Sequence, residues 1–164
     1  MKLKQLTLCA VLIAFTVVMG TVVSIPIGRE VFTLANTSVF VSAFLLGKKE
    51  GLVIGALSGL LIDGLLGFWL WAPVTLLVYG TMGFVAGLMG VHTKSFTSRL
   101  MAMILCWAIL VGGYLLGGTI ILGSFAAALA GIGLNIAQGA IGGAIAMSVY
   151  PILKPVLVTR LKNI

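Results

Sequence analysis

Charge is scarce in this sequence, and negative charge most of all. Only 8% of the 164 residues are Asp, Glu, Lys or Arg, against roughly 25% in a soluble domain. With 61% apolar residues and a mean hydropathy of +1.27, the composition excludes a soluble domain and describes an integral membrane protein. Three acids (Glu30, Glu50 and Asp63) and one histidine (His92) are the whole titratable inventory near neutral pH. Intramembrane proteases and transferases need paired carboxylates, Ser/Lys or Ser/His sets, or metal-binding His clusters. An enzyme is therefore not expected, nor a bound metal or cofactor. The G-x-x-x-x-G-K-[ST] phosphate loop is missing, so the chain has no ATPase site of its own. Gly131-Ile132-Gly133 lacks the third glycine and the preceding buried strand of a dinucleotide fingerprint. Cysteine is limited to Cys9 and Cys106, both inside apolar runs, where they read as packing residues rather than a disulfide or metal pair.

What is present is a series of apolar runs broken by short polar turns. A bilayer core ~30 Å thick takes about 20 apolar residues per helix, so the chain is expected to be all-α, with six transmembrane helices in a compact bundle and one domain over 1–164. The first run, Leu6 to Val23, is too long for a signal-peptide core and no small-x-small cleavage site follows, which predicts a retained helix. On it Ala10 and Ala14 stand four apart, a small-residue face for close helix approach, inside the bundle or by a partner. Ile25 to Glu30 (IPIGRE) is predicted to be a surface turn, followed by a span from about Val31 to Leu46 with Asn36, Thr37 and Ser38 near its start. The Gly47 to Gly51 turn leads to a third span reaching about Gly67, with Gly51, Gly55 and Gly59 on one stripe and Asp63 in the far third. Phe68 to Pro73 (FWLWAP) reads as a turn, where Trp69 and Trp71 are either interfacial anchors or ligand contacts. The fourth span reaches about Val91 and carries Tyr79. His92 to Arg99 is a basic loop, with His92 a solvated residue. From Leu100 to Leu153 no residue is charged, and two more helices are expected, with their turn between Gly117 and Gly133. Tyr114 and Thr119 then approach that turn, and Asn135 and Gln138 follow it.

Six spans would put Lys2, Lys4, Lys48, Lys49, Lys94, Arg99, Lys154, Arg160 and Lys162 on one side and only Arg29 on the other. That imbalance predicts cytoplasmic N- and C-termini, with the IPIGRE and FWLWAP turns outside. An intramembrane carboxylate is a functional-site hypothesis by default, because it is costly unless it faces a partner or cavity. Asp63 would lie roughly 20 Å from the cytoplasmic end of its helix at 1.5 Å per residue. Asn36, Tyr79, Tyr114, Asn135 and Gln138 gather at similar depth, while the inner halves are aliphatic, alanine and glycine. A channel would need polar lining throughout, and a proton-coupled carrier would place ionisable groups near the midplane. The pattern fits a pocket open to the outside, with the outward turns as lids. Its carboxylate, amides, phenols and indoles suit a small, flat, uncharged or weakly basic ring. Interhelical bonding by Asn135 and Gln138, and a structural contact for Asp63, are the alternatives. A self-sufficient secondary transporter and a membrane scaffold without a small ligand also remain open.

The run from Leu46 to Gly90, with LLGKKEG, GALSGLLID, GFWLWAP and GTMGFVAGLMG, resembles the substrate-binding S components of energy-coupling factor (ECF) vitamin transporters. The Ala10/Ala14 face and the Asn135-x-x-Gln138 pair are similar to that family as well. The resemblance covers essentially the whole chain and points to the riboflavin, pyridoxine and hydroxymethylpyrimidine branch. It implies a cell-membrane vitamin-binding subunit that docks through small-residue faces, such as that of Ala10 and Ala14, on a transmembrane coupling subunit joined to two cytoplasmic ATPases. It also implies toppling in the membrane to release the vitamin. Relatives often carry an acid where Asn36 stands and a lysine where Tyr79 stands, which implies a less charged pocket here. That pocket favours pyridoxine or hydroxymethylpyrimidine over pantothenate, which would want a cation.

Overall fold

The computed structural model describes residues 3–27, 30–90 and 95–161. Arg29 and His92 lie outside the described residues, as do Lys2, Lys94 and Lys162. Six helices dominate: α1 (Leu3–Thr21), α2 (Ala35–Leu46), α3 (Lys48–Leu66), α4 (Ala72–Gly90), α5 (Phe96–Leu122) and α6 (Phe125–Leu161). Between α1 and α2 lies an antiparallel hairpin of β1 (Ser24–Ile27) and β2 (Glu30–Thr33). By length and composition, four helices are able to cross a membrane: α1, α4, α5 and α6 over Phe125–Pro155. The helix α3 is as long as α4 but opens on Lys48, Lys49 and Glu50 and carries Asp63 near its end.

The expectation for the second span is corrected. Residues 31–33 are strand, and α2 has only 12 residues, about 18 Å of helix. Val31, Phe32 and Thr33 are β-branched or aromatic and favour a pleated surface. They pair with Ser24 to Pro26 in the order Ser24↔Thr33, Ile25↔Phe32 and Pro26↔Val31. Ile25 to Ile27 of the IPIGRE segment thus belong to the first strand of a hairpin and Glu30 opens the second. Behind it, every residue of α2 from Ala35 to Phe44 is buried. A helix hidden on all sides needs no amphipathic stripe, and α2 is the central post of the bundle.

The longer helices also run past their expected limits. The turn between α5 and α6 does fall inside the glycine-rich stretch, but it is only Gly123–Ser124, with Gly123 left-handed at φ 64°. Both flanks are helical, so Asn135 lies about ten residues into α6 rather than near its start. Gly67 ends α3 at φ 84°, its N–H donating to the carbonyls of Asp63 and Gly64. Pro73 falls in the first turn of α4, where no N–H is missed.

The tightest contact joins α3 to α4. Gly51 faces the Gly83 carbonyl, Gly55 the Tyr79 backbone and Gly59 Thr75, each step four residues on both helices. A Cβ at Gly83 would stand 2.6 Å from the Gly51 carbonyl carbon, and one at Gly59 would stand 2.8 Å from Thr75 Cγ2. In a bilayer such small-residue contact provides dispersion contacts where no hydrophobic drive is available. The helix α1 packs on α2 and α3 through Cys9, Thr16 and Gly20, while Ala10 and Ala14 are exposed. Cys106 is buried on α5, its thiol donating to the Met82 carbonyl at 3.3 Å.

Gly83→Leu should lower the melting temperature of the detergent-purified protein by ~5–10 °C or prevent folding, as overpacking does. Gly112→Ala, where a Cβ meets nothing within 4 Å, serves as the control and should melt normally. A Gly83→Leu protein with unchanged melting would refute the role given to the glycine register.

Candidate functional site

One end of the bundle carries the hairpin, the 67–71 turn and the Gly123–Ser124 turn, and a cavity of about 70 Å³ opens beneath them. Each wall is supplied by a different element. Glu30, Val31 and Thr33 come from β2, and Ile62, Asp63 and Leu66 from the last turns of α3. Phe68 and Trp71 come from the following turn, Thr75 and Tyr79 from α4, Tyr114 from α5, and Asn135 and Gln138 from α6. Short connections make successive helices antiparallel, so these ends of α3, α4, α5 and α6 meet beside the hairpin.

Two hydrogen-bonded chains organise the walls. In the first, the Tyr114 hydroxyl donates to Thr75 Oγ1 at 2.9 Å, and the Thr75 hydroxyl donates to Asp63 Oδ2. This fixes Asp63 across α3, α4 and α5 and leaves Oδ1 toward further donors. In the second, the Thr33 backbone N–H donates to Gln138 Oε1 at 2.9 Å, and Gln138 Nε2 donates to the Tyr79 hydroxyl at 3.4 Å. A buried side chain on α6 thereby takes the amide at the end of β2 and ties the hairpin to the helix core. Trp71 and Tyr114 complete an aromatic corner, ring centroids 6.2 Å apart and planes tilted by 47°.

The residues singled out in the sequence divide accordingly. Asp63, Trp71, Tyr79, Tyr114, Asn135 and Gln138 are brought together on one cavity. Trp69 is 69% exposed and lies over Gly64, where a Cβ would stand 2.9 Å from its ring; it is not among the residues lining the cavity. Asn36 is fully buried on the first turn of α2 and does not line the cavity, and neither atom of its amide has a hydrogen-bond partner among the described residues. Leaving such a group unpaired costs about 1–3 kcal/mol, and Thr37 beside it bonds the Gly142 carbonyl at 3.1 Å.

The sequence reading missed Glu30, Thr33 and Thr75. Thr75 carried a signal, since it stands one helical turn before Tyr79 on the face that meets Gly59. Glu30 carried none, because its segment reads as a surface turn. It is half-buried in β2. The site therefore presents two carboxylates, and no lysine or arginine is among its lining residues. Among the described residues no three His, Cys, Asp or Glu side chains converge as a metal site would require.

The family model for the S component of the ECF-type riboflavin transporter matches residues 1–155. The thiamine precursor transporter HmpT of Lactococcus lactis subsp. cremoris is 31% identical over 156 residues, covering 93% of this chain and 89% of that protein.

The Gln138 bridge has a measurable consequence. Gln138→Leu removes the acceptor for Thr33, so amide exchange in the peptide covering residues 30–33 should quicken by a few-fold to about tenfold, as loss of one buried hydrogen bond implies. Exchange in α3 should be unaffected. Equal protection of the hairpin in both proteins would contradict the bridge.

Proposed function

The chain belongs to the family of ECF-type riboflavin transporter S components, transporter subunits and not enzymes, and from that premise we propose that it captures a small water-soluble ring vitamin or precursor at the cavity beneath the hairpin. Hydroxymethylpyrimidine is the favoured ligand, with pyridoxine next. The observation that carries this reading is the convergence of Asp63, Tyr79, Tyr114, Asn135 and Gln138 from four helices on one cavity beside Trp71. At about 70 Å³ the space is below the ~300–1,000 Å³ usual for ligand sites, which supports one small ring over a fused tricycle. The likeness to a thiamine precursor transporter supports the same choice.

In this reading the ring stacks on Trp71 and Tyr114, while Asp63 Oδ1 and the Asn135 amide orient its polar edge. Asn36 and Trp69 enter the proposal at the margin: Asn36 as a buried amide three residues on from Thr33, Trp69 as an interfacial contact at the mouth. The protein is proposed to be a single-domain, six-span subunit of the cell membrane with both termini cytoplasmic. In that arrangement α2 and the hairpin together occupy the depth of one span. Lys4, Lys48, Lys49, Arg99 and Lys154 then lie toward the end opposite the cavity, as the positive-inside rule asks. The exposed Ala10 and Ala14 face of α1 is proposed to dock on a transmembrane coupling subunit that works with two cytoplasmic ATPases.

Asp63→Asn or Asn135→Ala should weaken binding of hydroxymethylpyrimidine roughly tenfold or more in calorimetric titration, with the melting temperature retained. Unchanged affinity in both variants would count against the site. Exchanging Ala10 and Ala14 together for leucine should abolish uptake by the assembled transporter and leave ligand binding intact; normal uptake would remove the docking proposal.

A further inference from the structure

Two acids face the cavity, and their circumstances differ. Asp63 already accepts from Thr75 and is braced by Tyr114. Glu30 reaches the same space from the hairpin, and its carboxylate accepts no hydrogen bond from a described residue. It lies instead against α6 at Gly131, where a Cβ would stand 2.7 Å from Glu30 Oε1 and 3.2 Å from its carboxyl carbon. Gly131 is in mid-helix without a positive φ, and glycine there costs helix stability relative to alanine. The missing side chain is accounted for by the room it leaves the carboxylate. This gives a role to Gly131, whereas a Cβ at Gly133 would meet nothing within 4 Å.

We propose that Glu30, seated over Gly131, is a ligand-binding and specificity-determining residue that receives the amine-bearing edge of a basic heteroaromatic ring. The inference rests on reading this cavity as the vitamin pocket and adds which chemical edge the pocket selects and by which residue. A carboxylate only accepts hydrogen bonds, and one drawn into a partly buried site with no cation among the described residues that line it needs donors or positive charge from what enters. An aminopyrimidine supplies an amine N–H and, when protonated, a neighbouring ring N–H, two parallel donors that match the two oxygens of one carboxylate. Asp63, already part-satisfied by Thr75, is left to the hydroxymethyl group. Anionic rings are excluded by the pair of acids, and amine-free rings leave Glu30 unsatisfied.

The test measures Kd by calorimetry for hydroxymethyl-aminopyrimidine and for the analogue in which methyl replaces the amine. The wild-type protein, Glu30→Gln and Gly131→Ala are compared at equal melting temperature. Wild type should prefer the amine roughly tenfold or more, as a charge-assisted hydrogen bond implies. In Glu30→Gln the preference should fall toward unity through loss of amine affinity alone. Gly131→Ala, which keeps the carboxylate but crowds it, should lose part of the preference in the same way. An unchanged ratio in Glu30→Gln overturns the inference, and so does equal weakening of both compounds, which a purely structural hairpin residue would give. Wild-type protein that binds both compounds equally well also overturns it. Wild-type protein that binds neither overturns the vitamin reading itself, and this inference with it.

Discussion

The contact between α3 and α4 is the constraint on which the rest of the structure depends. Backbone lies against backbone along Gly51, Gly55 and Gly59 on one side and Gly83, Tyr79 and Thr75 on the other. Nothing in a bilayer squeezes two apolar helices together, so their attraction is the sum of many short-range contacts available only when side chains are absent from the seam. The register of that seam decides where the polar groups go. With Gly59 against Thr75, Asp63 is one turn further along α3 and within reach of the Thr75 hydroxyl. A shift of one residue in either helix would turn Asp63 or Tyr79 out of the cavity.

Around that seam the chemistry is divided between a rigid part and a tethered one. Tyr114, Thr75 and Asp63 belong to helices packed along their length, and their hydrogen bonds confirm positions that packing already sets. Glu30 and Thr33 belong to a two-stranded hairpin, which alone is marginal in water. The Thr33 to Gln138 bond, extended to Tyr79, tethers it to the helices. A fixed wall with a tethered cover suits a site that must admit a solute from water and then exclude water from its carboxylates.

Much of this was legible in the sequence, for reasons that particular residues make plain. Long apolar runs broken by Gly47, Gly67 and Gly123 mark the helix ends, because each break needs a residue that tolerates positive φ. Asp63 stood out because a carboxylate in an apolar helix requires an explanation. The hairpin was not legible: Val31, Phe32 and Thr33 are as apolar as the helix that follows, and hydropathy does not separate a strand from a buried helical turn over so few residues. Glu30 was lost with it. Trp69 and Trp71 could not be distinguished by composition, since two residues apart in a tight turn they point opposite ways, one over Gly64 and one to Tyr114. Asn36 reads from the sequence as a pocket residue, but its side chain is buried and is not among those lining the cavity, which come from neighbours distant in sequence.

The brevity of the link between α1 and β1 matters in its own right. Only Val22 and Val23 separate the last residue of α1 from the first of β1, and the Ser24 hydroxyl donates back to the Thr21 carbonyl at 2.7 Å, stiffening the joint. The helix bearing Ala10 and Ala14 and the strap bearing Glu30 therefore form one lever with little slack. A sideways pull on the N-terminal end of α1 would be felt at the mouth of the cavity, some 30 Å of helix away by its length of 19 residues.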